Sequence, residues 1–200
     1  MSLLLSTGAF ASSLSAAAPG MVLVSPTSIT HSGTSATLGA NGQVTFTAVT
    51  SLSLNGCFTA DFDNYVIAIR HRGVAGSGNQ ILVMRMRVSG SDASGNNYVS
   101  QELSANSTTV SASRTAAQSN AYVAVANADL EGGDQIFVYG PALAQPTAFR
   151  NVSFYGRSNT AAIADYASTH SLSTAYDGFN LAGNDGNGFT GALQVYGVRS

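Results

Sequence analysis

From residue 21 onward the chain alternates apolar and polar positions in short runs, with no sustained helical spacing. The runs are "MVLV", "QVTFTA", "SLSLNG", "YVIAIRHR", "ILVMRMRV", "YVSQEL", "TTVSAS", "AYVAVA", "DQIFVYG", "AFRNVSFYG", "AAIADYA" and "GALQVYGVR", each bounded by Gly, Asn, Asp or Ser. About a dozen short strands at such spacing predict an all-β domain, a jelly-roll-like antiparallel sandwich over residues 21–200. Residues 1–20 read as a separate N-terminal arm, helical over Leu3 to Ala18 and closed by Pro19 and Gly20.

Alternation also assigns faces. In "YVIAIRHR", Tyr65, Ile67 and Ile69 share one face, and Val66, Ala68, Arg70 and Arg72 share the other. In "ILVMRMRV", Leu82, Met84, Met86 and Val88 lie opposite Ile81, Val83, Arg85 and Arg87. The glycine-rich "GVAGSGNQ" between them suits a hairpin, which would gather Arg70, Arg72, Arg85 and Arg87 on one outer face. Like charges opposed across strands are destabilising. Partners are therefore expected from Glu102, or from Asp129, Glu131 and Asp134 in "DLEGGD", within the chain or from a neighbouring copy. An anionic glycan is the other ligand such a cluster would fit.

The densest polar chemistry is "ADFDNY", where Asp61 and Asp63 precede an apolar run. It reads as the corner that opens a strand, with the Asp63 side chain tying down backbone amides and Asp61 more exposed. The reading assigns no metal and no cofactor. A calcium ion, which takes six to eight oxygens, would have to draw on Asp61, Asp63, Asp92 with Asn96, and Asp185 with Asn184. "NDGNG" (Asn184–Gly188) reads as a hairpin turn. His31, His71 and His170 are scattered, with no i, i+4 pair and no carboxylate at useful spacing. There is no G-x-S-x-G elbow, P-loop, dinucleotide fingerprint or zinc knuckle, so no catalytic residue is assigned.

Composition narrows the partners. Charged residues make up 9% of the chain, there is no lysine, and the net charge is −2. That fraction lies far below the roughly 25% of ordinary soluble domains, and suits packing against neighbouring chains. It argues against nucleic acid and against an anionic lipid surface. Cys57 alone excludes an internal disulfide framework and reads as a small buried residue. The first 20 residues lack the basic start of a signal peptide and are too interrupted to span a membrane. They read as an uncleaved docking arm, its apolar contacts supplied by Leu3, Leu4, Leu5, Phe10 and Leu14. Tyr98 in "GNNY" and Tyr176 in "AYDGF" lie beside loops and are the tyrosines expected to face a surface ligand.

Four stretches carry a resemblance. "SLSLNGCFTADFDNYVIAI", "LVMRMRVSGSDASGNNYVSQ", "PALAQPT" and "YDGFNLAG…GALQVYGVR" resemble, in order and spacing, minor tail, tail-fibre and fibre-tip proteins of tailed bacteriophages. With "VSPTSIT…NGQVTFTAVT" upstream, the resemblance covers residues 21–199; Phe62 stands where that family usually has Tyr. It implies a non-enzymatic virion component, usually a homotrimer, made in the host cytoplasm without a signal peptide. The expected role is a tail fibre or minor tail protein. The arm would bind other virion proteins, and outer loops would contact a host-surface glycan. A head or neck decoration protein, or a secreted glycan-binding domain, are the alternatives.

Overall fold

Each alternating run can bury one face and leave the other in water, so the runs become strands. The computed structural model describes residues 20–75, 78–128, 130–157 and 160–199. The docking-arm residues Leu3, Leu4, Leu5, Phe10 and Leu14, and Asp129, lie outside the described residues. The strands are β1 (Gly20–Val24), β2 (Ser28–Leu38), β3 (Val44–Asn55), β4 (Asn64–Gly73), β5 (Asn79–Val88), β6 (Ser91–Asp92) and β7 (Tyr98–Asn106). They continue as β8 (Thr109–Gln118), β9 (Ala121–Asn127), β10 (Gly132–Tyr139), β11 (Thr147–Arg157), β12 (Thr160–His170), β13 (Gly178–Gly183) and β14 (Phe189–Arg199). The described chain has no helix, hence none long and apolar enough to cross a membrane. The fold is all-β and antiparallel, as the alternation predicts.

Hydrogen-bonded neighbours run β6-β5-β13-β3-β14-β4-β10-β11-β12-β7-β8, with β1 on β14, β2 on β3 and β9 on β5. The sheet folds over at β3, making a sandwich-like body from one continuous ribbon of strands. Residues 44–49 of β3 pair with β14, and residues 51–54 pair with β13. Near the end of the first half, Ala48 takes φ 45°, while β2 bulges opposite it at Ser32 and Gly33. Gly33 sits at φ 105°, and a Cβ there would collide with the Ala48 carbonyl oxygen. A paired bulge of this kind lets a strand turn the corner between layers.

The core lies between the layers. Tyr65, Ile67 and Ile69 of β4 and Ile136 and Val138 of β10 meet Leu82, Met84 and Met86 of β5 and Phe179 and Leu181 of β13. The inward faces of β4 and β5 are therefore those the alternation assigns, but the two strands do not form the expected hairpin. β4 pairs with β10 and β14, while β5 pairs with β6, β9 and β13. Their connection crosses from one layer to the other instead of turning back beside its own strand. Their arginine faces consequently point away from each other, on opposite sides of the molecule.

β9 is an edge strand that curls onto the inner face of the opposite layer. Its free backbone groups are taken up by side chains there. Asn151 Nδ2 donates to the Val123 carbonyl at 2.8 Å, and Ser153 Oγ accepts the Val125 N–H at 3.0 Å. Ser100 Oγ accepts the Tyr122 N–H, and Ser168 Oγ donates to the Tyr122 carbonyl, both at 2.9 Å. A small second core of Val125, Ala164 and Tyr166 fills the space beside this seam. Buried backbone must be paired, and here four polar side chains replace a missing strand.

Candidate ligand groove and the sequence-assigned residues

"ADFDNY" is a corner, but the carboxylates do not hold it. Asp63 is exposed, and only its backbone carbonyl is engaged, by the Gly140 N–H. Asp61 exchanges local contacts with Thr59, whose Oγ1 donates to Asp61 Oδ2 at 3.1 Å. The corner is closed by Tyr65, whose hydroxyl accepts the Thr59 N–H at 2.6 Å and donates to the Thr59 carbonyl at 2.7 Å. Phe62 packs its ring over Gly197, where a Cβ would collide with it, and edge-on to Tyr65 at 5.9 Å. Tyrosine wins because its rigid ring reaches across the turn and satisfies two backbone groups at once.

The closing "YDGF" is equally architectural. The Asp177 carbonyl accepts the amides of both Cys57 and Phe58, its N–H donates to the Arg87 carbonyl, and its Oδ2 accepts the Ser89 N–H at 2.9 Å. Gly178 leaves no room for a Cβ against the Leu54 carbonyl, and Phe179 is wholly buried. Cys57 is buried as expected, and desolvation pushes its thiol well above the usual range.

Tyr98 and Tyr176, assigned to the surface, are both in the core. They flank His170, with ring centroids at 4.2 Å and 5.4 Å. The Tyr98 hydroxyl accepts the Met86 N–H and donates to the Ala93 carbonyl, each at 2.9 Å, pinning the loop before its own strand to β5. Sequence placed these rings beside loops correctly but could not tell that the loops fold over them. Burial also pushes the His170 pKa down to about 4, which keeps the imidazole neutral.

The arginines do not form one cluster. Arg70 pairs with Glu131 at the surface, as the sequence allowed, whereas Arg72 is exposed on the same strand. Arg85 donates to the Ser119 carbonyl at 2.9 Å on the other side of the molecule. Arg87 is 9% exposed and holds Asn55, Asp92 and the Gly90 carbonyl. Glu102 accepts from Ser113 Oγ at 3.2 Å. The hairpin on which the cluster depended is absent, which is why it disperses.

Of the four candidate metal carboxylates, Asp61 and Asp63 line one concavity beside Arg199, while Asp92 and Asp185 are engaged elsewhere. Asp92 is taken by Arg87, and Asp185 holds the Asn187 N–H at 3.0 Å in its turn. That turn links β13 and β14, which do not pair with each other but flank β3, so it is not a hairpin turn. Among the described residues no group of three or more His, Cys, Asp or Glu side chains could hold an ion. His71 does have a carboxylate, 63 positions away. Its Nε2 lies 2.5 Å from Asp134 Oδ2, both side chains are fully buried, and Asn151 Nδ2 donates to Asp134 Oδ1 at 2.9 Å. Only the pairing of β4 with β10 brings them together.

One concavity was not foreseen. A groove of about 860 Å³ crosses the outer face of β14, β4, β10 and β11. Register explains its shape. One row across three strands is Gln194, Ala68, Gln135, and the next is Ala192, Arg70, Gly133, so small residues sink its floor. Phe137 and Tyr139, two apart on β10, stand along it with nearly parallel rings, 12° between planes and 6.4 Å between centroids. Arg150 adjoins Phe137 and is paired with Asp165 at 2.7 Å. The Tyr196 hydroxyl donates to Gln194 Oε1 at 3.1 Å, leaving that amide's N–H groups for a ligand. Asp134 lines the floor, but its carboxylate is turned inward to His71 and Asn151. The lining thus offers rings, amides and guanidiniums. Compared with known proteins, the chain matches no family model, no curated protein and no solved structure.

Proposed function

We propose that this chain is a non-enzymatic structural component of a bacteriophage particle, a tail-fibre or minor tail protein that assembles as a homotrimer. The observation that carries this reading is an outer face built to be covered. Phe154, Ile163, Ala105 and Val110 form one apolar row across β11, β12, β7 and β8. Phe154, Ile163 and Val110 are 47%, 48% and 68% exposed. Val152 and Leu103, in the adjacent row, are also exposed. The face runs out to β8, a ten-residue edge strand whose single charge is Arg114. The edge is bulged only at its far end, near Ala117, away from the apolar row, and large exposed apolar patches mark interaction sites. A second copy of the chain is the partner we assign to this face, consistent with the low charge and with the phage-like motifs.

Residues 1–20 supply the attachment to the particle in this reading. Truncating them should give a folded domain that no longer incorporates. An antibody against residues 20–200, applied to purified particles, tests the location. Label at the tail is expected; label on the head would replace the tail role with decoration, and unlabelled particles would contradict a virion role altogether.

A further inference from the structure

We propose that the groove over β14, β4, β10 and β11 binds a neutral oligosaccharide. This rests on the reading of the chain as a particle component only for the source of the sugar, which would be the host surface. A hexose presents an apolar face of C–H groups and a rim of hydroxyls that each donate and accept. Phe137 and Tyr139 provide two nearly parallel rings on one strand, 38% and 41% exposed, whose apolar surfaces can pack against the C–H face of a sugar. Gln135 and Gln194 stand on either side of Ala68, and each amide can donate and accept toward paired hydroxyls. The volume lies within the range of small-molecule sites, and its open form suits a stretch of a longer chain.

Charge selects neutral over acidic sugars. Both arginines at the groove already hold a carboxylate, Arg70 with Glu131 and Arg150 with Asp165. Their remaining N–H groups can still donate to hydroxyls, but no uncompensated positive charge is offered to an anion. The face also explains why rings are exposed on β10 at all. The same strand buries Asp134, Ile136 and Val138 on its other side, so Phe137 and Tyr139 are not needed by the core.

The test is an array of bacterial surface oligosaccharides together with maltohexaose, cellohexaose and chitohexaose. It should be probed with the wild-type chain and with Phe137→Ala/Tyr139→Ala and Gln135→Ala, checking thermal midpoint and solution mass for each. At least one neutral glycan should bind, with affinity insensitive to salt, and both variants should weaken it at least tenfold with midpoint and mass unchanged. Silence across the array at millimolar sugar overturns the proposal. So does binding that survives loss of both rings, or binding confined to acidic glycans and abolished by salt. None of these outcomes bears on where the chain sits on a particle, which the antibody experiment decides separately.

Discussion

The hydroxyl of Tyr65 closes the turn that leads into its own strand, clasping both backbone groups of Thr59 at 2.6 and 2.7 Å. Tyr65→Phe removes the clasp while keeping the buried ring. It should destabilise by about 1 to 3 kcal/mol, the range for orphaned buried polar groups. Asp63→Ala, by contrast, should stay within about 0.5 kcal/mol, as exposed positions usually do. Urea unfolding of the two variants decides between tyrosine and carboxylate as the fastener.

Asn151 joins three elements, holding the Val123 carbonyl of β9 and the Asp134 carboxylate of β10 from its place on β11. Asn151→Leu should cost about 2 to 4 kcal/mol, because a buried carboxylate loses a donor. Ser153→Ala is a finer probe. Its hydroxyl accepts the Val125 N–H, so hydrogen exchange should accelerate at that amide ahead of its neighbours.

Stability should fall in mild acid through His170. Burial holds its pKa near 4, against 6.5 when exposed. Between those values the unfolded chain takes up a proton that the folded chain refuses. The contribution is therefore complete above about pH 6.5 and lost as pH falls toward 4, amounting to at most about 3 kcal/mol. Whatever its absolute stability, His170→Asn should show a correspondingly flatter profile when unfolding is measured from pH 7 to 4.

Two arginines from neighbouring sequence motifs should behave oppositely. Arg87 is nearly buried and bound to three partners, so Arg87→Ala should destabilise by about 3 kcal/mol or more. Arg70 and Glu131 pair with side chains 63% and 51% exposed, and Arg70→Ala should cost no more than about 1 kcal/mol. Thermal midpoints of the pair give the contrast directly.

These particulars mark what could be read from the chain. Alternation placed Ile67, Ile69, Met84 and Met86 in the core because period two is a local property. It missed β13, whose "GFNL" is buried on both faces and so does not alternate, and β2, whose "SITHSGTSATL" is polar and largely exposed. "QVTFTA" and "SLSLNG" looked like two strands, yet form the single bent β3, since a bulge carries no sequence mark stronger than an ordinary alanine. The groove was illegible for a different reason. Gln194, Ala68 and Gln135 become neighbours only through strand order, and neither of the two pairings involved joins strands consecutive in the chain.

The account stands or falls on whether the apolar outer face is covered by copies of the same chain. Light scattering of the purified protein at tens of micromolar measures this directly. Wild type should weigh three times the 20.4 kDa of one chain. Val110→Lys/Ile163→Lys, altering two exposed positions in one row, should weigh one chain and remain folded. A wild-type chain that stays monomeric at that concentration, or a trimer indifferent to both lysines, would contradict it.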